Sequence, residues 1–147
     1  MSHKPILPPG LHDISEQDLE NHFLSAFSSS TTRAKLIDGF KKYLAALKNI
    51  GVRFEVWIDG SFATEKENPS DIDLVVFGSH VEIDKLPDVL KNQLGALLDR
   101  VNIKHATGCD VLFAVAEDPN RRSYWRGWYG FDRDENPKGI ARIEVKP

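Results

Sequence analysis

The chain has 147 residues, of which 28% are charged and 41% apolar, and its formal net charge is −3. This size and composition are typical of one globular domain and exclude a disordered or membrane-embedded class. Binding of nucleic acid by bulk electrostatics is also disfavoured, because neutralising phosphates needs a broad surplus of Lys and Arg. No apolar run could cross a bilayer, and residues 1–13 lack a signal-peptide core, so we expect a cytoplasmic protein without a membrane partner.

The N-terminal third begins with a proline-rich arm, residues 1–10, which its prolines keep from being helical. Ser15 and Asp18 occupy the positions of a capping box and predict a short helix after them. Apolar residues then recur every three or four positions from Arg33, and Gly51 follows where a helix end favours glycine. This pattern predicts a helix over 33–49.

The remaining chain alternates strands and helices. Period-two alternation predicts strands near 52–58, 71–77 and 110–116, and spaced leucines predict a helix near 87–101. No single period assigns the basic, aromatic segment 120–147. The whole indicates one domain, residues 1–147, of the α/β class, in which helices flank a short mixed sheet.

Three aspartates are placed to share one cation. Asp71 and Asp73 are two residues apart on a predicted strand and therefore project from the same face. Asp110 opens a later strand, and if that strand pairs beside the second one, the three carboxylates meet at one end of the sheet. Because such a cluster is costly without a counter-ion, and oxygen ligands suit hard cations, the pattern predicts that Asp71, Asp73 and Asp110 bind Mg²⁺ or Mn²⁺.

Gly60 and Ser61 lie where the first strand gives way to a predicted helical turn. Backbone N–H groups and a hydroxyl at such a point can face an anion, and glycine lets a phosphate approach closely. Lys66 follows within reach of the same loop. We therefore predict that Gly60, Ser61 and Lys66 bind the phosphates of a nucleotide.

The run Ile58-Asp59-Gly60-Ser61, nine residues and then Asp71-Ile72-Asp73-Leu74 resembles the signature of the DNA polymerase beta-like nucleotidyltransferase superfamily. Asp110 suits the superfamily's third carboxylate, and the similarity covers roughly residues 51–116. The resemblance implies a polymerase beta palm-like fold with Asp71, Asp73 and Asp110 as catalytic residues. Only about thirty residues follow the third strand, so the chain is most similar to the minimal nucleotidyltransferases, some of which transfer AMP to a partner protein in toxin-antitoxin pairs.

The whole chain also resembles a small, mostly uncharacterised family of bacterial and phage proteins. The shared stretches are GSFATEK at 60–66, DIDL at 71–74, YWRGWYGFDR at 124–133 and KGI at 138–140. This second resemblance adds no reaction. The resemblance to the nucleotidyltransferase superfamily implies transfer of a nucleoside monophosphate from an NTP to an acceptor hydroxyl on a protein, an RNA or a small molecule, with release of pyrophosphate. The alternative is a non-catalytic module, antitoxin-like or regulatory, that binds a partner protein; a second copy of the chain is a further candidate partner.

Simpler interpretations compete with each of these assignments. Gly-Ser and Asp-x-Asp also occur as a turn and a solvated strand start. For Lys66 taken alone, an ordinary exposed lysine is favoured over a triphosphate ligand. Asp59 could be a fourth carboxylate near the metal, but a residue that forms a turn is favoured. The tail aromatics could stack on a base beside nearby arginines, but we favour their covering a sheet face or a partner surface. The single cysteine, Cys109, excludes an internal disulfide, and we expect it to be a small buried residue rather than a reactive thiol.

Overall fold

A five-stranded mixed β-sheet is the centre of the protein in a computed structural model that describes residues 3–121, 123–124 and 139–147. The strands are β1 (Gly10–Asp13), β2 (Phe54–Asp59), β3 (Ile72–Gly78), β4 (Cys109–Val115) and β5 (Gly139–Val145). Their order across the sheet is β1-β5-β2-β3-β4. The β1–β5 and β3–β4 pairs are parallel, whereas β2 is antiparallel to both of its neighbours. The three predicted strands are confirmed, with boundaries that differ by no more than two residues.

Helices pack on one face of this sheet. They are α1 (Leu19–Phe23), α2 (Arg33–Lys48), α3 (His80–Asp84), α4 (Asp88–Leu97) and α5 (Arg100–Thr107). The apolar stripe of α2 is buried in one cluster with alternate residues of β2 and β3, among them Ile58 and Leu74. Each such large apolar side chain contributes about 1.5–3 kcal/mol when buried. The α/β class, with a mixed sheet and flanking helices, is therefore confirmed.

The predicted helix over 87–101 is wrong in its continuity, because two helices occupy this region. The carboxylate of Asp99 accepts a hydrogen bond from the backbone N–H of Asn102, which ends α4 and starts α5. Asp is a strong N-cap residue, and this cap outweighs the leucine periodicity that predicts one continuous helix. Val101, which the sequence pattern assigns to the apolar stripe, is 78% exposed.

The helix predicted after Ser15 is present but short. A single 3₁₀ turn over Glu16–Asp18 precedes α1, which ends at Phe23. Ser15 does not cap the backbone, because its hydroxyl donates to the carboxylate of Asp18 instead.

Strand β5 accounts for the end of the segment that sequence periodicity left unassigned. It is inserted between β1 and β2, and its buried apolar side chains are Ile140, Ala141, Ile143 and Val145. The N-terminal arm contains no helix among residues 3–10, as predicted, and is anchored by backbone hydrogen bonds from Ile6 to Ala63 and from Gly139 to Leu7. The expectation that Trp125, Trp128 and Phe131 cover a sheet face falls on residues outside those the structure describes. Among the described residues, none of the helices combines the length and apolar character needed to cross a membrane.

Candidate functional site

The strand register brings together the three predicted carboxylates. Asp73 on β3 lies directly opposite Asp110 on β4, and both project from the sheet face that is opposite to α2. Asp71 lies immediately before β3. The three residues each offer a carboxylate oxygen within 4.8 Å of the other two, so Asp71, Asp73 and Asp110 form one cluster that could hold a metal ion.

The cluster is half-buried, which raises the cost of its charge. The side chains of Asp71 and Asp110 are 20% and 19% exposed. At the observed separation, two like charges repel by roughly 3–4 kcal/mol in a protein of effective dielectric constant near 20. Cations must therefore offset this repulsion.

Two basic side chains from α5 provide part of that offset. The guanidinium of Arg100 binds both carboxylate oxygens of Asp110, at 2.9 and 3.1 Å, and Nζ of Lys104 lies 3.1 Å from Oδ2 of Asp71. The hydrogen bond from Arg100 holds the pKa of Asp110 below its usual range, and the hydrogen bond to Asp71 raises the pKa of Lys104. This pair was not predicted from the sequence, although Arg100 and Lys104 are four residues apart, a spacing that places two side chains on one face of a helix.

Asp59 is a fourth carboxylate at the same end of the sheet. The expectation that it forms a turn is wrong, because it is the last residue of β2 and pairs in register with Asp73. Only 1% of its surface is exposed. The last residue of β2 is therefore an aspartate that lies opposite Asp73, the second residue of β3.

Gly60 connects the carboxylate cluster to the predicted phosphate loop. Its φ is +78°, in the left-handed region that favours glycine, and a Cβ at this position would lie 2.2 Å from Oδ2 of Asp73. The predicted turn after the strand is a 3₁₀ turn, Ser61–Ala63. The carbonyl of Ser61 accepts hydrogen bonds from the backbone N–H and the hydroxyl of Thr64. The hydroxyl of Ser61 makes no hydrogen bond to another of the described residues.

Arg33 fixes the far side of this loop and was not identified from the sequence. Its side chain is fully buried, and its guanidinium donates to four backbone carbonyls: those of Phe23, Phe62, Thr64 and Lys66. Burial lowers the pKa of Arg33 to about 10, so it stays charged at neutral pH. An arginine at the start of a helix gives no sequence signal for such a role, because it is normally exposed.

Lys66 contributes to this loop through its backbone. Its carbonyl accepts from Arg33, and its N–H donates to the hydroxyl of Thr64. No hydrogen bond or ion pair joins its ammonium to another described residue. The phosphate-binding role of Lys66 therefore stays a prediction.

A cavity of about 420 Å³ lies beside this loop, and Asp71, Asp73 and Asp110 are not among the residues that line it. Its walls come from the N-terminal arm, the segment after α1 and the acidic residues Glu65 and Glu67. Phe27 lines this cavity, and the centroid of its ring lies 3.8 Å from Cζ of Arg33. The cavity is therefore adjacent to the side chain of Arg33 and separate from the candidate metal site.

Comparison with known proteins gives a family but no activity. The model of a family of unknown function, DUF6932, matches residues 1–144, which is nearly the whole chain. Searches of curated proteins and of solved structures return no match. The chain therefore belongs to the family DUF6932.

Proposed function

We propose that this protein is a magnesium-dependent nucleotidyltransferase of the polymerase beta-like type. It would transfer a nucleoside monophosphate from an NTP to an acceptor hydroxyl on a protein, an RNA or a small molecule, and release pyrophosphate. The observation that carries the proposal is the clustering of three carboxylates beside a left-handed glycine that starts a turn. A chance turn and a solvated strand start give no reason for this proximity.

The donor set fits Mg²⁺ or Mn²⁺. Three carboxylates, with no cysteine or histidine in the cluster, are the ligands that hard divalent cations prefer. Asp71 and Asp73 would hold the metal together with Asp110. When bound, the metal would neutralise the phosphates and stabilise the charge that develops on the leaving pyrophosphate.

The chain's own residues would orient the two reactants. The backbone of Gly60 and the hydroxyl of Ser61 would bind the β and γ phosphates, which leaves the α phosphorus facing the carboxylates. The acceptor oxygen then bonds to that phosphorus, the bond to the bridging oxygen breaks, and pyrophosphate leaves. Asp110 would take the acceptor's proton, and it becomes a better base when its hydrogen bonds to Arg100 are lost.

One observation favours a second function. The ion pairs of Arg100 with Asp110 and of Lys104 with Asp71 already neutralise two of the three carboxylates. This is the arrangement expected of a non-catalytic member in which protein cations replace the metal. Such a module would keep the fold and act by binding a partner protein.

Melting curves with Mg²⁺ and each NTP distinguish these functions. If the site binds a metal nucleotide, the ligand stabilises the folded state by mass action, and the melting temperature rises. Asp73→Asn removes one of the three mutually repelling charges while nearly preserving shape. We expect its ligand-free melting temperature to be unchanged or higher, and its shift with Mg²⁺ and NTP to be lost.

The matched control is Asp84→Asn, which removes the same charge from an exposed residue on α3. This variant should keep the full shift. A non-catalytic module predicts no shift in any of the three proteins. Transfer is then tested by incubating each α-labelled NTP and Mg²⁺ with RNA or with cell extract, where label on RNA, protein or a small molecule identifies the acceptor.

A further inference from the structure

Arg100 and Lys104 are more than incidental counter-ions of the carboxylate cluster. They lie four residues apart on α5, so both side chains leave the same face of the helix. Each is directed at a different carboxylate of the cluster. About half of each side chain is exposed, 57% for Arg100 and 52% for Lys104, which leaves both able to change partners.

The backbone beneath these two side chains is fixed. Gly108 ends α5 in the left-handed conformation, and its carbonyl accepts from the N–H of Ile72 at the start of β3. The other side of the helix end packs on α2, where a Cβ at Gly39 would come within 2.2 Å of the carbonyl oxygen of Thr107. Because α5 is tied to both α2 and β3, Arg100 and Lys104 stay beside the site while their charged ends move.

Charge balance indicates where those ends would go. With Asp59, the three clustered carboxylates and two cations, this end of the sheet carries a net charge of about −2 when all groups are ionised. One divalent metal would change this to about 0, and two would change it to about +2. With two metals the positive charges are in surplus, and a bound triphosphate is the group that supplies the missing negative charge.

We propose, resting on the function above, that Arg100 and Lys104 form a triphosphate clamp that the carboxylates hold until a metal nucleotide binds. Asp110 and Asp71 would then hold the metal instead of the two basic side chains. The guanidinium of Arg100 and the ammonium of Lys104 would bind phosphate oxygens of the same nucleotide. Arginine suits this exchange, because its planar fork matches a carboxylate and a phosphate equally well.

The test measures two affinities in the Arg100→Gln/Lys104→Gln double variant. The first is for Mn²⁺ alone, followed by its electron paramagnetic resonance signal. The second is for α,β-methylene nucleoside triphosphates with Mg²⁺, which bind without being cleaved. We expect Mn²⁺ to bind several-fold more tightly, because competing cations are gone, and the nucleotide to bind at least about tenfold more weakly, a difference of about 1.4 kcal/mol.

Three further variants keep the result interpretable. Lys91→Gln removes an exposed charge from α4 and should change neither affinity. Lys104→Gln serves alone if the double variant does not fold, and Lys104→Arg, which keeps the charge, should restore nucleotide binding. Circular dichroism confirms that each variant is folded.

The possible outcomes separate this inference from the function it rests on. If both Mn²⁺ and nucleotide bind more tightly to the double variant, the two residues are counter-ions only and the clamp is overturned. If nucleotide binding depends on Asp73 but not on Arg100 or Lys104, the clamp fails and the proposed function stands. If the unaltered protein binds none of the nucleotide analogues, both fail.

Discussion

The backbone of Gly60 lies so close to the carboxylate of Asp73 that a side chain at position 60 would clash with it. A Cβ at residue 60 would be 2.2 Å from Oδ2 of Asp73 and 2.8 Å from its Cγ. The strand pairing of Asp59 with Asp73 brings the two chains together at this point. The end of β2 is therefore shaped around one carboxylate of the candidate metal site.

Gly60→Ala should consequently damage the site and the fold together. With φ +78° and ψ −164°, the backbone of Gly60 lies in a region that is essentially restricted to glycine and costs other residues roughly 1–3 kcal/mol, and the added methyl group must also displace Asp73. We expect a lower melting temperature and loss of the stabilisation by Mg²⁺ and NTP. The control is Gly95→Ala, an exposed helical position with open space around it, which should stabilise the protein by about 0.5–1 kcal/mol. Retention of the full Mg²⁺ and NTP shift by Gly60→Ala would remove Gly60 from the site.

Removing residues 139–147 should abolish folding, because they include the interior strand β5. Burial of Ile140, Ile143 and Val145 is worth roughly 4.5–9 kcal/mol together, which is comparable with the whole stability of a small domain. The truncated protein should lack the cooperative thermal transition of the full chain. Deleting only the exposed Lys146 and Pro147 is the control and should leave the transition intact. Proteolysis that removes everything after Asn120 and leaves a folded core would contradict the role of β5.

Cys109 should be unreactive in the folded protein. It is fully buried, as expected from the sequence, and burial raises the pKa of its thiol to about 11. We expect slow reaction with a thiol reagent at pH 8 and fast reaction in urea, since only the thiolate attacks. An unfolded thiol ionises near pH 8.5, so the contribution of Cys109 to stability is complete below that pH and is lost as the pH rises toward 11. Cys109→Ala should weaken the decline in stability over this alkaline range, and rapid native-state labelling at pH 8 would contradict its burial.

The carboxylate cluster was predictable because one strand period and one strand pairing determine it. Asp71 and Asp73 share a strand face by the period of two, and the parallel pairing of β3 with β4 brings Asp110 level with Asp73. This geometry follows from the strand period and the pairing of β3 with β4. The three strands that hold the cluster were predictable for the same reason.

Other features around the cluster were less predictable, because each depends on a helix break or a long-range contact that periodicity does not show. The pairing of Arg100 with Asp110 requires the break at Asp99 that starts α5, and periodicity alone did not show this break. Strand β5 forms by pairing with β1 and β2, and both of these strands lie far from it in the chain. The burial of Arg33 requires the carbonyls of residues 62–66 to converge on one helix end.

Arg33→Met tests whether the loop and the metal site are separable. The substitution preserves apolar volume but leaves four backbone carbonyls without their donor, which should destabilise the protein by about 3–5 kcal/mol in urea titration. Lys35→Met, an exposed position on the same helix, should stay within about 0.5 kcal/mol of the unaltered protein. Arg33→Lys should be intermediate, because one ammonium cannot reach all four carbonyls.

Binding measurements on the same variants show whether the loop and the metal site are separable. Asp71, Asp73 and Asp110 are positioned by β3 and β4, which do not depend on Arg33, so Mn²⁺ alone should bind to Arg33→Met with nearly unchanged affinity at a temperature where the variant is folded. The turn at Ser61 is directly joined to the segment that Arg33 holds, so the additional stabilisation by nucleotide should fall. If Mn²⁺ affinity falls as far as nucleotide affinity, Arg33 supports the whole sheet edge rather than the phosphate loop. If neither affinity changes in a folded Arg33→Met protein, the loop after Gly60 does not bind the phosphates, and nucleotide binding must be assigned to other residues around the carboxylates.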